Sequence, residues 1–214
     1  MIVNAEGVVL SRRNLGEYDR LAVVYTETFG KLPVRFVGVN RPAGKLKALS
    51  EPAVWGEYRL HVSPRSEFAK AVGGRIQASF PDLRGDLDRM VAALTCCELL
   101  ERLTVEHDPS PIKHRLLVAF LAALEESPSP WLPLAFGLRL VELAGFGLRE
   151  RAPASCAGFW SRLHEVEPAA LTLLEDQPAA REAGLRLLRE HVQSQTGRPL
   201  RAFEFSDSLM GVPA

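Results

Sequence analysis

The stretch "EFAKAVGGRIQASF" (67–80), running directly into "PDLRGDLDRMVAALTCC" (81–97), changes its period at Phe80. Before that point β-favouring residues surround the pair Gly73-Gly74, the signature of a strand that bends sharply at a bulge. After it Leu87, Met90, Val91, Leu94 and Cys97 recur at helical spacing, continuing toward Leu100 and Leu103. One junction therefore divides the chain into differently built halves, residues 1–80 and residues 81–214. The class expected is α+β.

Upstream of the junction, residues 6–14, 20–28, 32–40 and 53–62 repeat the strand pattern of 67–80, rich in Val, Tyr, Phe and Thr. Gly16-Glu17, Gly30-Lys31, Pro42 to Gly44 and Ser63-Pro64 supply the turns between them, and Gly7 reads as a second bulge. Short strands in series with no helical crossover predict a small closed or nearly closed five-stranded barrel. Alternation assigns its faces. Trp55, Glu57, Arg59 and His61 fall on the wet side, and Val54, Tyr58, Leu60 and Val62 on the other.

Downstream, Ser110-Pro111 opens a helix whose inner face is Leu116, Leu117, Phe120, Leu121 and Leu124. Ser129-Pro130 opens the next, which ends at Gly145 or Gly147. Pro168 and Pro178 open two more, with Leu171 and Leu174, then Leu185, Leu188 and Val192, facing inward. Residues 149–165 carry no periodic pattern and read as irregular.

The formal net charge is zero, but it is unevenly spread. Residues 1–80 hold 12 Lys and Arg against 7 Asp and Glu, whereas residues 81–214 hold 14 against 19. Local charge decides which surface attracts phosphates, so the first half is the candidate. The segment "GVNRPAGKLKALSEP" (38–52) imitates a nucleotide-binding loop but fails its chemistry. Five residues separate Gly38 from Gly44, Leu46 stands where a hydroxyl should hold magnesium, and Pro42 removes a backbone donor. What survives is charge. Lys31, Arg35, Arg41, Lys45 and Lys47 are uninterrupted by an acid until Glu51, and Arg12, Arg13, Arg59, Arg65, Lys70 and Arg75 extend the strip. Such cations bind a nucleic-acid backbone by displacing counterions, although solvated loop tips look the same in sequence. Trp55, Phe36 and Tyr18 are the aromatics available for base stacking, and composition places each in the core.

Catalytic and metal signatures are missing. No HExxH, paired CxxC or GxSxG occurs, and Gly145-Phe146-Gly147 follows a helix, as a C-cap does. His107-Asp108 with His114 lacks a third ligand, and His164 with Glu165 and Glu167 reads as a solvated turn. Cys96, Cys97 and Cys156 form no disulfide framework, and the first two fit a buried helical face. No enzyme activity, cofactor or metal is expected. The absence of a secretory signal pattern and of a membrane-length apolar run predicts a reducing cytoplasmic setting.

Read in order, the motifs resemble the bacterial recombination mediator family RecO. "GVVLSRRNLGEYDRLAVVYTETFGKL" (7–32) looks like its opening, with Gly7 to Leu10, Gly16-Glu17-Tyr18-Asp19 and Thr26 to Lys31 at the matching positions. Pro52 and Leu60 match the spacing after the family's basic loop. "RMVAALTCCELLERL", "HRLLVAFLAALEE", "LAFGLRLVELAGFGL" and the ending "HVQSQTGRPLRAF" fit its helices. The resemblance implies an OB-fold DNA-binding domain over 1–80 and a helical domain over 81–214. It implies binding of single- and double-stranded DNA, strand annealing, and help in loading the RecA recombinase onto coated single strands in DNA repair. RecR and the acidic tail of the single-stranded-DNA-binding protein SSB are the implied protein partners, in the nucleoid and with no membrane. The DNA contacts so implied are Lys31, Arg35, Arg41, Lys45 and Lys47, with Arg12, Arg13 and Arg59 beside them. Many members insert a zinc module where this chain has residues 149–165, which hold only Cys156; no zinc is expected. The alternative reading is a protein-binding scaffold whose OB-like barrel never touches DNA.

Overall fold

A computed structural model describes residues 1–42, 44–64 and 66–201. Arg65 of the basic strip, and Ala202 and Phe203 of the C-terminal motif, lie outside the described residues.

Five strands, β1 (Ile2–Leu15), β2 (Asp19–Thr26), β3 (Gly30–Phe36), β4 (Trp55–His61) and β5 (Ala69–Ala78), close into a barrel in the order β1-β2-β3-β5-β4. β1 makes closure possible by pairing twice. Ile2 to Val8 run antiparallel to β4, and Gly7 to Leu15 run antiparallel to β2. The register shifts between Val9 and Ser11, so the bulge predicted at Gly7 lies just beyond it, where β1 has parted from β4. A second shift lies opposite Gly73, between Arg59 and Leu60, as the paired glycines predict. The ring is completed by a short parallel pairing, Val34 to Phe36 against Ala69 to Ala71.

The alternation on β4 holds: Tyr58 and Leu60 are fully buried, whereas Arg59 and His61 are exposed. The barrel core gathers Val9, Val24, Val34, Phe36, Val54, Tyr58 and Leu60, with Phe36 edge-on to Tyr58 at 6.4 Å. The Tyr58 hydroxyl donates to the Leu49 and Val54 carbonyls, satisfying the one polar atom it brings inside.

The chain forms two compact units, and their division adds to the single junction at Phe80. Residues 104–118 group with the barrel, and residues 81–103 and 119–201 form the other unit. The strap at 104–110 runs along β3. Glu106 bridges Lys31 in parallel, the His107 N–H donates to the Lys31 carbonyl at 3.1 Å, and the Lys31 ammonium donates to the Thr104 carbonyl. The Tyr25 phenol lies against Asp108 and Ser110; burial and the Asp108 charge push its pKa up to about 12.

The helices are α1 (Pro81–Gly85), α2 (Leu87–Arg102), α3 (Pro111–Glu126), α4 (Leu132–Leu143), α5 (Trp160–Glu165) and α6 (Pro178–Thr196). Asp86 caps α2, accepting the Arg89 N–H at 3.0 Å, and the Glu125 carboxylate receives the Asp82 and Leu83 N–H groups that open α1. α4 is buried almost all round, as a central helix must be, and Gly145 ends it in the left-handed conformation. Two expectations change here. Pro168 opens a 3-10 turn, Pro168–Leu173, instead of an α-helix, and the segment read as irregular contains α5. α5 forms because Trp160 and Leu163 bury one face of its short turn.

Candidate nucleic-acid interface

Antiparallel pairing delivers the end of β1, the start of β2 and the end of β3 to one rim of the barrel. Leu15 lies opposite Asp19, and Arg20 opposite Phe36. The turn at 16–18 and the long β3–β4 connection leave from this rim. They are tied together by the Asn40 N–H on the Tyr18 carbonyl at 3.0 Å and the Gly38 N–H on the Asp19 carboxylate at 2.8 Å.

The rim's organiser is Arg20, a residue the charge strip omits. Its side chain is 3% exposed. The guanidinium donates to the Ser50 hydroxyl at 2.7 Å and to Glu51 at 2.8 Å, and it reaches the Lys47 carbonyl at 3.4 Å. Glu51 also receives Arg12 at 2.9 Å, so one carboxylate clips two arginines. A sequence signal for Arg20 exists: it is in phase with Ala22 and Val24, which point into the barrel.

The predicted contacts divide by place. Arg35, Arg41, Lys45, Lys47, Arg12 and Arg13 collect at this rim, all of them exposed. Arg35 donates twice to Asp19, at 2.6 and 2.8 Å, and Arg41 lies 4.9 Å over the Tyr18 ring. The Gly38 N–H, then Arg35, holds the Asp19 carboxyl below the usual carboxylate range. Lys31 stands at the opposite end of β3, engaged by the strap. Arg59 projects from the outer face of β4, in a shallow groove of about 610 Å³ beside Arg75, Glu57, Ile2 and Asn4.

The aromatics also separate. Phe36 belongs to the core as expected. Tyr18 does not; it is 42% exposed at the rim. Trp55 is half-buried on the outer face, and its indole N–H donates to Glu6 at 2.9 Å. His164 departs from the solvated turn expected of it: it is 6% exposed and holds Glu142 through Nδ1 at 3.0 Å.

Zinc chemistry does not fit the cysteines present. The Cys156 thiol donates to the Ala180 carbonyl at 3.0 Å, and Cys96 and Cys97 are buried in α2. Among the described residues no group of three or more His, Cys, Asp or Glu side chains could hold a metal ion.

A closed five-stranded barrel, with β1 shared by β2 and β4 and a parallel β3–β5 seam, defines an OB-fold protein with helices following the barrel. Residues 1–80 match the family model "Recombination protein O N terminal", and residues 84–160 match "Recombination protein O C terminal". The chain belongs to the recombination protein O (RecO) family. It is similar to the DNA repair protein RecO of Myxococcus xanthus, 30% identical over 210 residues that cover 92% of this chain and 85% of that one. The RecO protein of Pelotomaculum thermopropionicum is 24% identical over 249 residues, covering 100% of this chain and 96% of the relative. Against the RecO protein of Desulfitobacterium hafniense the identity is 28%, and the match spans only 56% of that relative's length.

Proposed function

We propose that this chain is a DNA-binding recombination mediator in DNA repair, acting by binding without catalytic turnover. The observation that carries this reading is the rim. Arg12, Arg13, Arg20, Arg35, Arg41, Lys45 and Lys47 converge there against Glu17, Asp19 and Glu51. A surplus of cations at one barrel end suits phosphates, which position a strand without reading its sequence. OB folds bind oligonucleotides through the β2–β3 face and the β1–β2 and β4–β5 loops, and this rim includes the first of those loops. Annealing of complementary strands and help in loading a RecA-type recombinase follow the family. A RecR-type partner is proposed as well, and the tail of a single-stranded-DNA-binding protein is proposed for the helical residues 81–214, with 1–80 as the DNA-binding domain.

The test is a DNA-binding titration of the full chain at several salt concentrations. Replacing Arg41, Lys45 and Lys47 together with alanine should weaken binding and make the log–log salt slope shallower by roughly two to three. An unchanged affinity and slope would remove the rim from the interface. Failure of the unaltered chain to bind DNA at low salt would favour the protein-binding scaffold. We further propose that the fold needs no zinc, so metal analysis of purified protein should find far less than one zinc per chain.

A further inference from the structure

Beside the rim, and sharing Arg35 with it, the barrel carries a cavity of about 350 Å³ lined by Arg35, His61, Ser63, Ser66, Phe68 and Lys70, with Val37 at its edge. Strand pairing builds its floor. Arg35 neighbours Lys70 across the parallel β3–β5 seam, and His61 neighbours Lys70 across β4–β5. Two cations and an imidazole thus form a row over three strands. Ser63, Ser66 and Phe68 raise the wall. The Ser66 N–H donates to the Ser63 carbonyl at 3.1 Å. Its hydroxyl donates to the Phe68 carbonyl at 2.9 Å and accepts the Phe68 N–H at 3.3 Å, which pins the backbone that carries the ring. Asp19 takes two of the Arg35 donors through Nε and Nη2.

We infer that this cavity receives a single unpaired nucleotide of a DNA strand, its phosphate on Arg35 and Lys70 and its base against the Phe68 ring. The inference rests on the reading of the barrel as DNA-binding and extends it to strand selectivity. Its size lies at the small end of ligand pockets, roughly 300–1,000 Å³. A base in a duplex has both faces covered by its neighbours, and presenting one to Phe68 requires unstacking and unpairing it. A base in a single strand is free to stack on a ring, and any base has the π-face to do so. The phosphates of both forms reach the rim cations equally. The rim therefore supplies affinity for either form, and the cavity supplies the difference between them.

The experiment compares the full chain and its variants on a short oligo-dT strand and on a duplex of the same length. Phe68→Ala should weaken single-strand binding about tenfold and leave duplex binding within about twofold, given the usual worth of one base–ring stack. Phe68→Trp should restore it. Because Phe68 is half-buried, Lys70→Ala, on an exposed side chain, is the companion variant. It should lower the single-strand salt slope by about 0.7 and the duplex slope by clearly less. Equal losses on both probes, or no loss on either, would overturn the cavity while the rim variant still tested DNA binding itself. A chain that bound neither probe would overturn both readings.

Discussion

Arg20 shows how a charge can serve a binding surface without touching the ligand. Buried at 3% exposure, it hydrogen-bonds the chain on both sides of the basic loop, with Ser50 and Glu51 close and Asn40 at 3.5 Å. Replacing it with alanine leaves Glu51 to Arg12 alone and strips the Ser50 hydroxyl of its charged donor. Hydrogen bonds to charged groups are each worth about 1.5–3 kcal/mol. Glu51 keeps Arg12 and is 27% exposed, so the net loss should be about 2 kcal/mol by urea denaturation. Glu51→Gln, which retains an acceptor, should cost less. Arg20→Ala should also weaken DNA binding although Arg20 is buried, because Lys45 and Lys47 ride on the loop it anchors. Loss of stability with unchanged DNA affinity would show that the loop holds its shape without Arg20.

Among elements, the strap at 104–110 was silent in sequence and is attached along β3 of the barrel unit. "TVEHDPS" has turn chemistry and no period, so alternation and helical spacing are both silent about it. Its attachment includes an isolated bridge to Lys31 and side-chain contacts far along the chain. The strands were legible because Val, Tyr and Phe recur between turn residues, each turn being local. The barrel's closure was not, because the β3–β5 seam is three residue pairs brought together across the whole β4 hairpin. Of the basic strip, sequence had no means of telling that Lys31 faces the strap while Arg35, Arg41, Lys45 and Lys47 collect at the rim. Gly30 reports on the strap directly. Its φ is +67°, and a Cβ there would collide with the Asp108 carbonyl oxygen. Gly16 has a similar φ of +69° with open space around it. Gly16→Ala should therefore cost about 1 kcal/mol of backbone strain, and Gly30→Ala clearly more, because the strap must also shift. Equal effects on thermal unfolding would mean the strap yields freely.

At the scale of the whole molecule, each compact unit hides a histidine that burial holds below its ordinary pKa of 6.5. His114 is 2% exposed in the barrel unit, where burial outweighs the pull of Glu6 and Glu27. His164 lies in the other unit, where burial outweighs its hydrogen bond to Glu142. The Nε2 atom of each is buried without a hydrogen-bond partner. The unfolded chain binds these protons more readily than the folded one. Stability contributed by the neutral rings is therefore intact above about pH 6.5 and is lost as pH falls from there toward the lowered folded values. Urea midpoints should drop between about pH 7.5 and about pH 5.5, and replacing both histidines with glutamine should shrink that drop. A pH-independent midpoint over this range would place both rings elsewhere.

The grouping of residues 104–118 with the barrel has a consequence for the order of synthesis. A nascent chain that has reached Phe80 has made every strand of the barrel but none of the strap. Ribosomes add on the order of 5–20 residues per second, so the strap's partners on β2 and β3, Tyr25 and Lys31, wait seconds for it while α1 and α2 are made. During that interval the outer edge of the β2–β3 hairpin is open to whatever else the crowded tunnel exit offers.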